Sequence, residues 1–229
     1  DTGGLSLKPS TSMDTMKSDM GGAATVIGAL SIIASQKIKK NVVAVIAACE
    51  NSIGGNAYRP GDIIGTMQGK TIEVLNTDAE GRLTLADALT YAVKEEKATK
   101  LIDIATLTGA AIVALGEKVI ATLSSDDDMF AQFDAASKLA SEKIWRLPLE
   151  KEYKKMLKSE VADLKNSPGR PAGTITASLF LEEFTSGLPW VHLDIAGPSW
   201  TDKASSLCPY GGTGAGVSLL YHFFKKSSY

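Results

Sequence analysis

Hydrophobic positions along the chain fall into two kinds of run. Unbroken, Val- and Ile-rich runs occupy residues 40–50 (KNVVAVIAACE) and 100–111 (KLIDIATLTGAA), and a further apolar run spans 190–197 (WVHLDIAG). Runs this short, without alternation, read as strands buried on both faces, which belong in a parallel sheet. Residues 70–76 (KTIEVLN) read as another strand. Between them, apolar residues recur at helical spacing over 20–38, 83–97, 128–144, 175–185 and 212–226. Strand alternating with helix predicts an α/β fold, with a mixed, mostly parallel central sheet sandwiched by helices. Gly and Pro clusters at 52–62, 166–173 and 208–214 read as loops, none long enough to divide the chain, so residues 1–229 are expected to form one domain.

Composition adds exclusions rather than a function. The 229 residues are 44% hydrophobic, enough for one sizeable core. With 24 basic and 26 acidic residues the net charge is −2, which offers no basic footprint for nucleic acid or an anionic membrane. No run approaches about 20 uncharged apolar residues, so no membrane span is expected. Two cysteines, Cys49 and Cys208, fit buried thiols in a reducing compartment, and the cytoplasm is the expected location.

The candidate chemistry begins at VLNTDAEGRLTLADAL, residues 74–89, where Asp78, Glu80 and Arg82 crowd one connection around Gly81. Alone, this is a solvated loop at a helix N-terminus, where acidic residues are favoured. In an α/β sheet, however, ligands gather beyond the carboxyl ends of strands. A strand over 70–76 would project Asp78 and Glu80 to the same side. Two carboxylates there repel unless Arg82, Lys8 or a divalent cation lies between them. Asp1 stands before a Gly-Gly turn, with Lys8 after it, and Asp19 precedes a Gly-rich helix start, where it could equally be an N-cap. His192 and His222 are the only histidines, so a metal site would rest on oxygen ligands, with a lysine amine at most. Such a set suits Mg, Mn, Co or Zn.

These same residues carry a resemblance. DTGGLSLKP, MKSDMGGAA and above all NTDAEGRL resemble the leucine aminopeptidase (cytosol aminopeptidase) family, and the likeness continues through ENSIGGNAYRPGD, ATLTGAA, WRLPL, NSPGRPAGTITA and HLDIAGPSW. It implies a phosphorylase/hydrolase-like αβα catalytic domain of a homohexamer, a dimer of trimers, that removes N-terminal amino acids from peptides. It also implies two divalent ions, Mn or Zn foremost with Co and Mg as options, held by Asp1, Asp19, Asp78 and Glu80. Asp1 and Glu80 would bridge the ions, and Asp78 would complete the looser site and Asp19 the tighter one. Lys8 would stabilise the oxyanion, and Arg82 would hold a bicarbonate acting as general base while a metal-bridging hydroxide attacks. By residue matching, Met16, Thr106, Gly109, Ala196 and Ser199 would line an apolar pocket for a Leu-like first side chain.

The sequence departs from that family in two respects. A metal-binding lysine that the family carries five positions before the residue matching Asp1 is not in the sequence, nor is a separate N-terminal domain. The 229 residues are therefore expected to be the C-terminal portion of a longer protein, with weak metal affinity and little activity alone. Thr2 stands where the family commonly has Ser, with no expected consequence. His192 and Asp194 match no metal ligand, and His192 reads as a core histidine. The acidic run at 124–130 reads as a loop capping the next helix. Two competing readings remain open. One is a non-catalytic hexameric scaffold or DNA-associated relative of the same family, which would have no need of the six charged residues. The other is a different two-metal carboxylate enzyme such as a phosphatase, which would want further phosphate-binding groups.

Overall fold

The computed structural model describes residues 1–206 and 208–226. Its centre is a four-stranded sheet in the order β3-β7-β4-β5, formed by Leu101–Ala105 (β3), Val119–Ser124 (β4), Lys143–Arg146 (β5) and Trp190–Asp194 (β7). β3 runs parallel to β7 and β4 parallel to β5, whereas β4 and β7 are antiparallel, so the sheet is mixed. Every residue of β7 is buried, as its interior place requires. A smaller sheet joins β1 (Ile63–Gly65), β2 (Thr71–Glu73) and β6 (Leu164–Lys165), and β8 (Trp200–Thr201) pairs with β9 (Gly211–Gly212).

Helices cover both faces. Val191 and Leu193 point into a core shared with α2 (Gly21–Ser35), α5 (Asp127–Ala140) and α7 (Val217–Lys226). Trp190, at the alternate register of the same strand, belongs to a second core with α3 (Gly81–Lys94) and α6 (Gly173–Glu182). The short α1 (Ser10–Met13) and α4 (Gly109–Leu115) complete the set. In α2 the buried residues Gly22, Thr25, Ala29 and Ile33 recur at helical spacing. Gly22 has a specific reason to be glycine: a Cβ there would lie 2.1 Å from the Ile104 carbonyl oxygen, so α2 rides directly on the β3 backbone. α5 is held to α7 by the stacked rings of Phe133 and Phe223, 4.1 Å between centroids.

The expected α/β architecture is therefore present, and the acidic run caps as expected: Asp126 is the N-cap of α5 and accepts a hydrogen bond from Met129 N at 2.6 Å. Asp126→Ala is expected to cost about 1 kcal/mol in urea unfolding while leaving any activity intact; an unchanged midpoint would remove the cap from the account. His192 is a core residue, fully buried with Nδ1 2.5 Å from Asp103 Oδ1. Cys49 and Cys208 are both free, but Cys49 is exposed rather than buried.

Residues 40–50 require a correction. They form no strand, and Val43 and Ile46 are exposed. The composition favours strand, but a strand needs a neighbour. Here residues 39–51 and β3, which pairs only with β7, both line a cavity of about 1030 Å³. The run 100–111 likewise divides into β3 and the start of α4, with Thr108 capping the helix through Ala111 N. β4 and β5 were not expected. Finally, Ser10–Ser35 is a 26-residue helical stretch apolar enough to span a membrane by length and composition. It is interrupted by Asp14, Lys17 and Asp19, and the 15-residue α2 alone reaches only about 22 Å, short of a hydrocarbon core of about 30 Å.

Candidate metal centre

Three chain segments converge near the carboxyl end of β3. The first is the N-terminal turn, which carries Asp1 and Lys8. Gly3 and Gly4 have φ of +84° and +64°, and a Cβ on Gly3 would fall 2.5 Å from Ser6 O and 2.8 Å from Asp78 Oδ1. Glycine there lets the turn press against the second segment, the β2–α3 loop with Asp78, Glu80 and Arg82. Thr77 fastens the two together, its hydroxyl donating to Gly3 O at 2.5 Å and accepting from Ser6 N at 2.7 Å. The third segment is the turn before α2. It presents Asp19, whose Oδ1 accepts from the Thr106 hydroxyl at 2.7 Å, one residue beyond β3.

The result is a cluster in which Asp1, Asp19 and Glu80 each offer a carboxylate oxygen within 4.8 Å of one another. Asp78 adjoins it through Lys8, whose Nζ lies 2.5 Å from Asp78 Oδ1 and 3.0 Å from Asp1 Oδ2. Burial raises the affinity of Asp19 for its proton despite the Thr106 bond. Burial does the same for Glu80, reinforced by the charges of Asp19 and Asp78. Tyr58, buried beside Glu80 and Asp78, is pushed well above the ordinary phenol value, so it stays a neutral donor, to Thr77 O at 2.8 Å. Arg82 is buried on the first turn of α3. Burial lowers it to about 10, which still leaves it charged near neutrality, and it donates through Nη1 to Asn166 O at 2.7 Å.

Whether these residues suit divalent ions can be judged from charge and from unpartnered atoms. Asp1, Asp19, Asp78 and Glu80 supply four carboxylates against two side-chain cations, Lys8 and Arg82, so the site carries an excess of negative charge. Glu80 Oε2 is buried without a hydrogen-bond partner among the described residues, a costly arrangement for an acceptor that a cation would relieve. Arg82 Nε is likewise a buried, unpartnered donor, as a site for a small anion requires. The donor set, all oxygen, fits both groups.

The pocket residues divide. Met16 and Thr106 line the cavity alongside the carboxylates. Ser199 sits close by, since a Cβ on Gly21 would meet Thr106 Cγ2 at 3.0 Å and Ser199 Cβ at 3.3 Å. Ala196 follows β7, its N–H donating to Asp194 Oδ1, and Gly109 opens α4; neither lines the cavity.

Several supporting residues were not singled out by sequence. Asn51 donates through Nδ2 to Asp1 Oδ1 at 2.7 Å and to Thr77 O at 2.9 Å. Asn166, fully buried, accepts from Leu75 N at 2.9 Å and donates to Asn76 O at 2.6 Å and Ala79 O at 3.2 Å, which clamps the acidic loop. Asp194 accepts from Leu107 N, Ala196 N and the Thr108 hydroxyl, tying together the ends of β3 and β7. Their only sequence signal was position in loops rich in Gly, Pro or Asn.

Comparison with known proteins agrees with this geometry. The model of the cytosol aminopeptidase family, catalytic domain, matches residues 1–221. A "Probable cytosol aminopeptidase" of Clostridium perfringens is 59% identical over 226 residues, 99% of this chain and 46% of the relative. One of Fusobacterium nucleatum is 56% identical over 231 residues, 99% of this chain and 48% of the relative. Among solved structures, the bottromycin maturation enzyme BotP in complex with Mn superposes with a TM-score of 0.91 at 41% identity, covering 98% of this chain and 50% of that one. The chain thus spans about half the length of the relatives it matches.

Proposed function

Since the chain belongs to the cytosol aminopeptidase family, we propose that it is the catalytic part of a two-metal aminopeptidase that releases N-terminal, Leu-like residues from peptides. The observation that carries the reading is the meeting of Asp1, Asp19 and Glu80 within 4.8 Å, with Lys8 against Asp1 and Asp78. Asp1, Asp19, Asp78 and Glu80 would hold two divalent ions, Mn or Zn foremost, with Co and Mg able to use the same ligands. BotP, at 41% identity, is described in complex with Mn.

When bound, the ions supply Lewis acidity toward a peptide carbonyl and anchorage for a free α-amine, and a bicarbonate at Arg82 supplies a proton acceptor. The chain's own groups do the rest. Lys8 places an ammonium beside the carboxylates, where it can meet negative charge developing on the carbonyl oxygen, a contribution of typically about 3 kcal/mol for such a donor. Arg82 is fixed by Asn166 O, so its Nε keeps one orientation toward an anion. Met16 and Thr106 present an apolar edge to the first side chain; Gly109, Ala196 and Ser199 complete the pocket in this reading. A homohexameric assembly and a cytoplasmic location are parts of the same proposal. The scaffold alternative, DNA-associated or not, leaves the buried, unpartnered Glu80 and Arg82 atoms without a purpose.

The test is hydrolysis of Leu-p-nitroanilide by metal-stripped protein after addition of Mn or Zn. It would be run on this chain and on a fusion that adds the part of the Clostridium perfringens relative lying outside the match. Metal-dependent hydrolysis is expected, with N-acetyl-Leu-p-nitroanilide untouched because it lacks the free amine. Activity confined to the fusion would show that catalysis needs the longer protein. Metal-independent or acetyl-tolerant hydrolysis, or none in either protein, would overturn the reading.

A further inference from the structure

The 1030 Å³ cavity has the position and the walls of an absent strand. One face is lined by α2, through residues including Val26 and Ala29, and the opposite face by α3, through Leu85 and Leu89. These helices cover opposite faces of the central sheet, so the cavity lies in the plane of the sheet itself. Within that plane it is bordered by β3, which is paired with β7 on one side only, and by residues 39–51, which enter no ladder although their sequence is that of a buried strand. Both borders thus present backbone groups in need of partners, and both covering faces are apolar.

We infer that this cavity receives one extended polypeptide segment, apolar on both faces, which adds to β3 as a strand and converts residues 41–50 into the next strand of the same sheet. A small molecule would not satisfy two backbone edges at once. An edge strand from a second copy would bring its own helices, and α2 and α3 leave room for only a single layer. The occupant that fits is a strand from the part of the longer proteins that this chain does not span, since it spans about half of theirs. The inference does not rest on the peptidase reading.

Backbone hydrogen exchange tests it. In the chain alone, amides of residues 42–48 are expected to exchange freely while those of β7, paired on both sides, stay protected and certify folding. In the fusion described above, exchange over 42–48 should slow by at least about a hundredfold. The matching stretch of the intact Clostridium perfringens protein provides the same readout if the fusion folds poorly. Protection of 42–48 in the chain alone would overturn the inference. If it persists on dilution, β3 and that segment pair directly; if it appears only with a dimer mass, a second copy fills the slot. Free exchange of this stretch in both the fusion and the intact relative would also overturn it.

Discussion

Glu80→Gln is expected to abolish metal-dependent peptide hydrolysis while leaving the fold intact. The substitution keeps the side chain's size but replaces a charged ligand atom, Oε2, which is buried and has no hydrogen-bond partner among the described residues. Loss of groups that merely support metal ligands costs about 10–100-fold in affinity, so a direct ligand should cost more than about a hundredfold. A metal that binds a hundred times more weakly gives up about 2.7 kcal/mol of its stabilisation when present at 100 times the original Kd. Isothermal titration with Mn and the Mn-dependent rise in melting temperature should therefore both collapse. Without metal, the variant should be at least as stable as the parent, because burial already disfavours ionised Glu80. An undiminished Mn-dependent rise in the variant would remove Glu80 from the ligand set.

Asn166→Ala is expected to damage stability and site together. Asn166 touches no proposed ligand atom, yet its side chain supplies the bonds to Leu75 N, Asn76 O and Ala79 O that shape the loop bearing Asp78 and Glu80. Truncation leaves those backbone groups buried and unpaired, at about 1–3 kcal/mol each before relaxation or entering water, so a loss of about 2–4 kcal/mol is expected in urea unfolding. Because the main chain of Asn166 also accepts from Arg82, movement of this loop would reach the arginine. Mn affinity should fall about 10–100-fold, as for outer supports of metal sites generally. Should the variant unfold at the parental midpoint and bind Mn equally well, the Thr77 and Asn51 bonds alone hold the loop.

The contrast between Glu80 and Asn166 shows what the sequence made legible. Asp1, Lys8, Asp19, Asp78, Glu80 and Arg82 carried both a charge pattern and a family resemblance, and the fold brings them together. Asn166 and Asn51 act across 84–91 and 26–50 residues of chain respectively, and nothing local marks an Asn that will bond a distant backbone. The fold class followed from periodicity, and α2, α3, α5, α6 and α7 lie close to their expected ranges. β4 and β5 escaped notice although VIATLS is β-branched, because the acidic run beside it drew attention to the helix that follows. The reverse error at 40–50 has a different cause: composition reports a preference for strand, but only a neighbour turns that preference into a ladder.

The buried pair between β3 and β7 bears on uniqueness of the fold. Asp103 lies directly across from His192 in the ladder, and its carboxylate also accepts from Trp190 Nε1. Burial pulls the imidazole down, but the charge and hydrogen bond of Asp103 prevail and hold it above its ordinary value, so the two form an ion pair. Slippage of β3 by one residue would turn Asp103 toward the hydrocarbon around Val191 and Leu193, leaving a carboxylate and an imidazolium unmatched. Neutral, interchangeable residues would tolerate that error, whereas a charge that fits in one alignment does not. The pair therefore works as a key that admits a single pairing frame, and Thr106, which holds Asp19, begins where that frame ends.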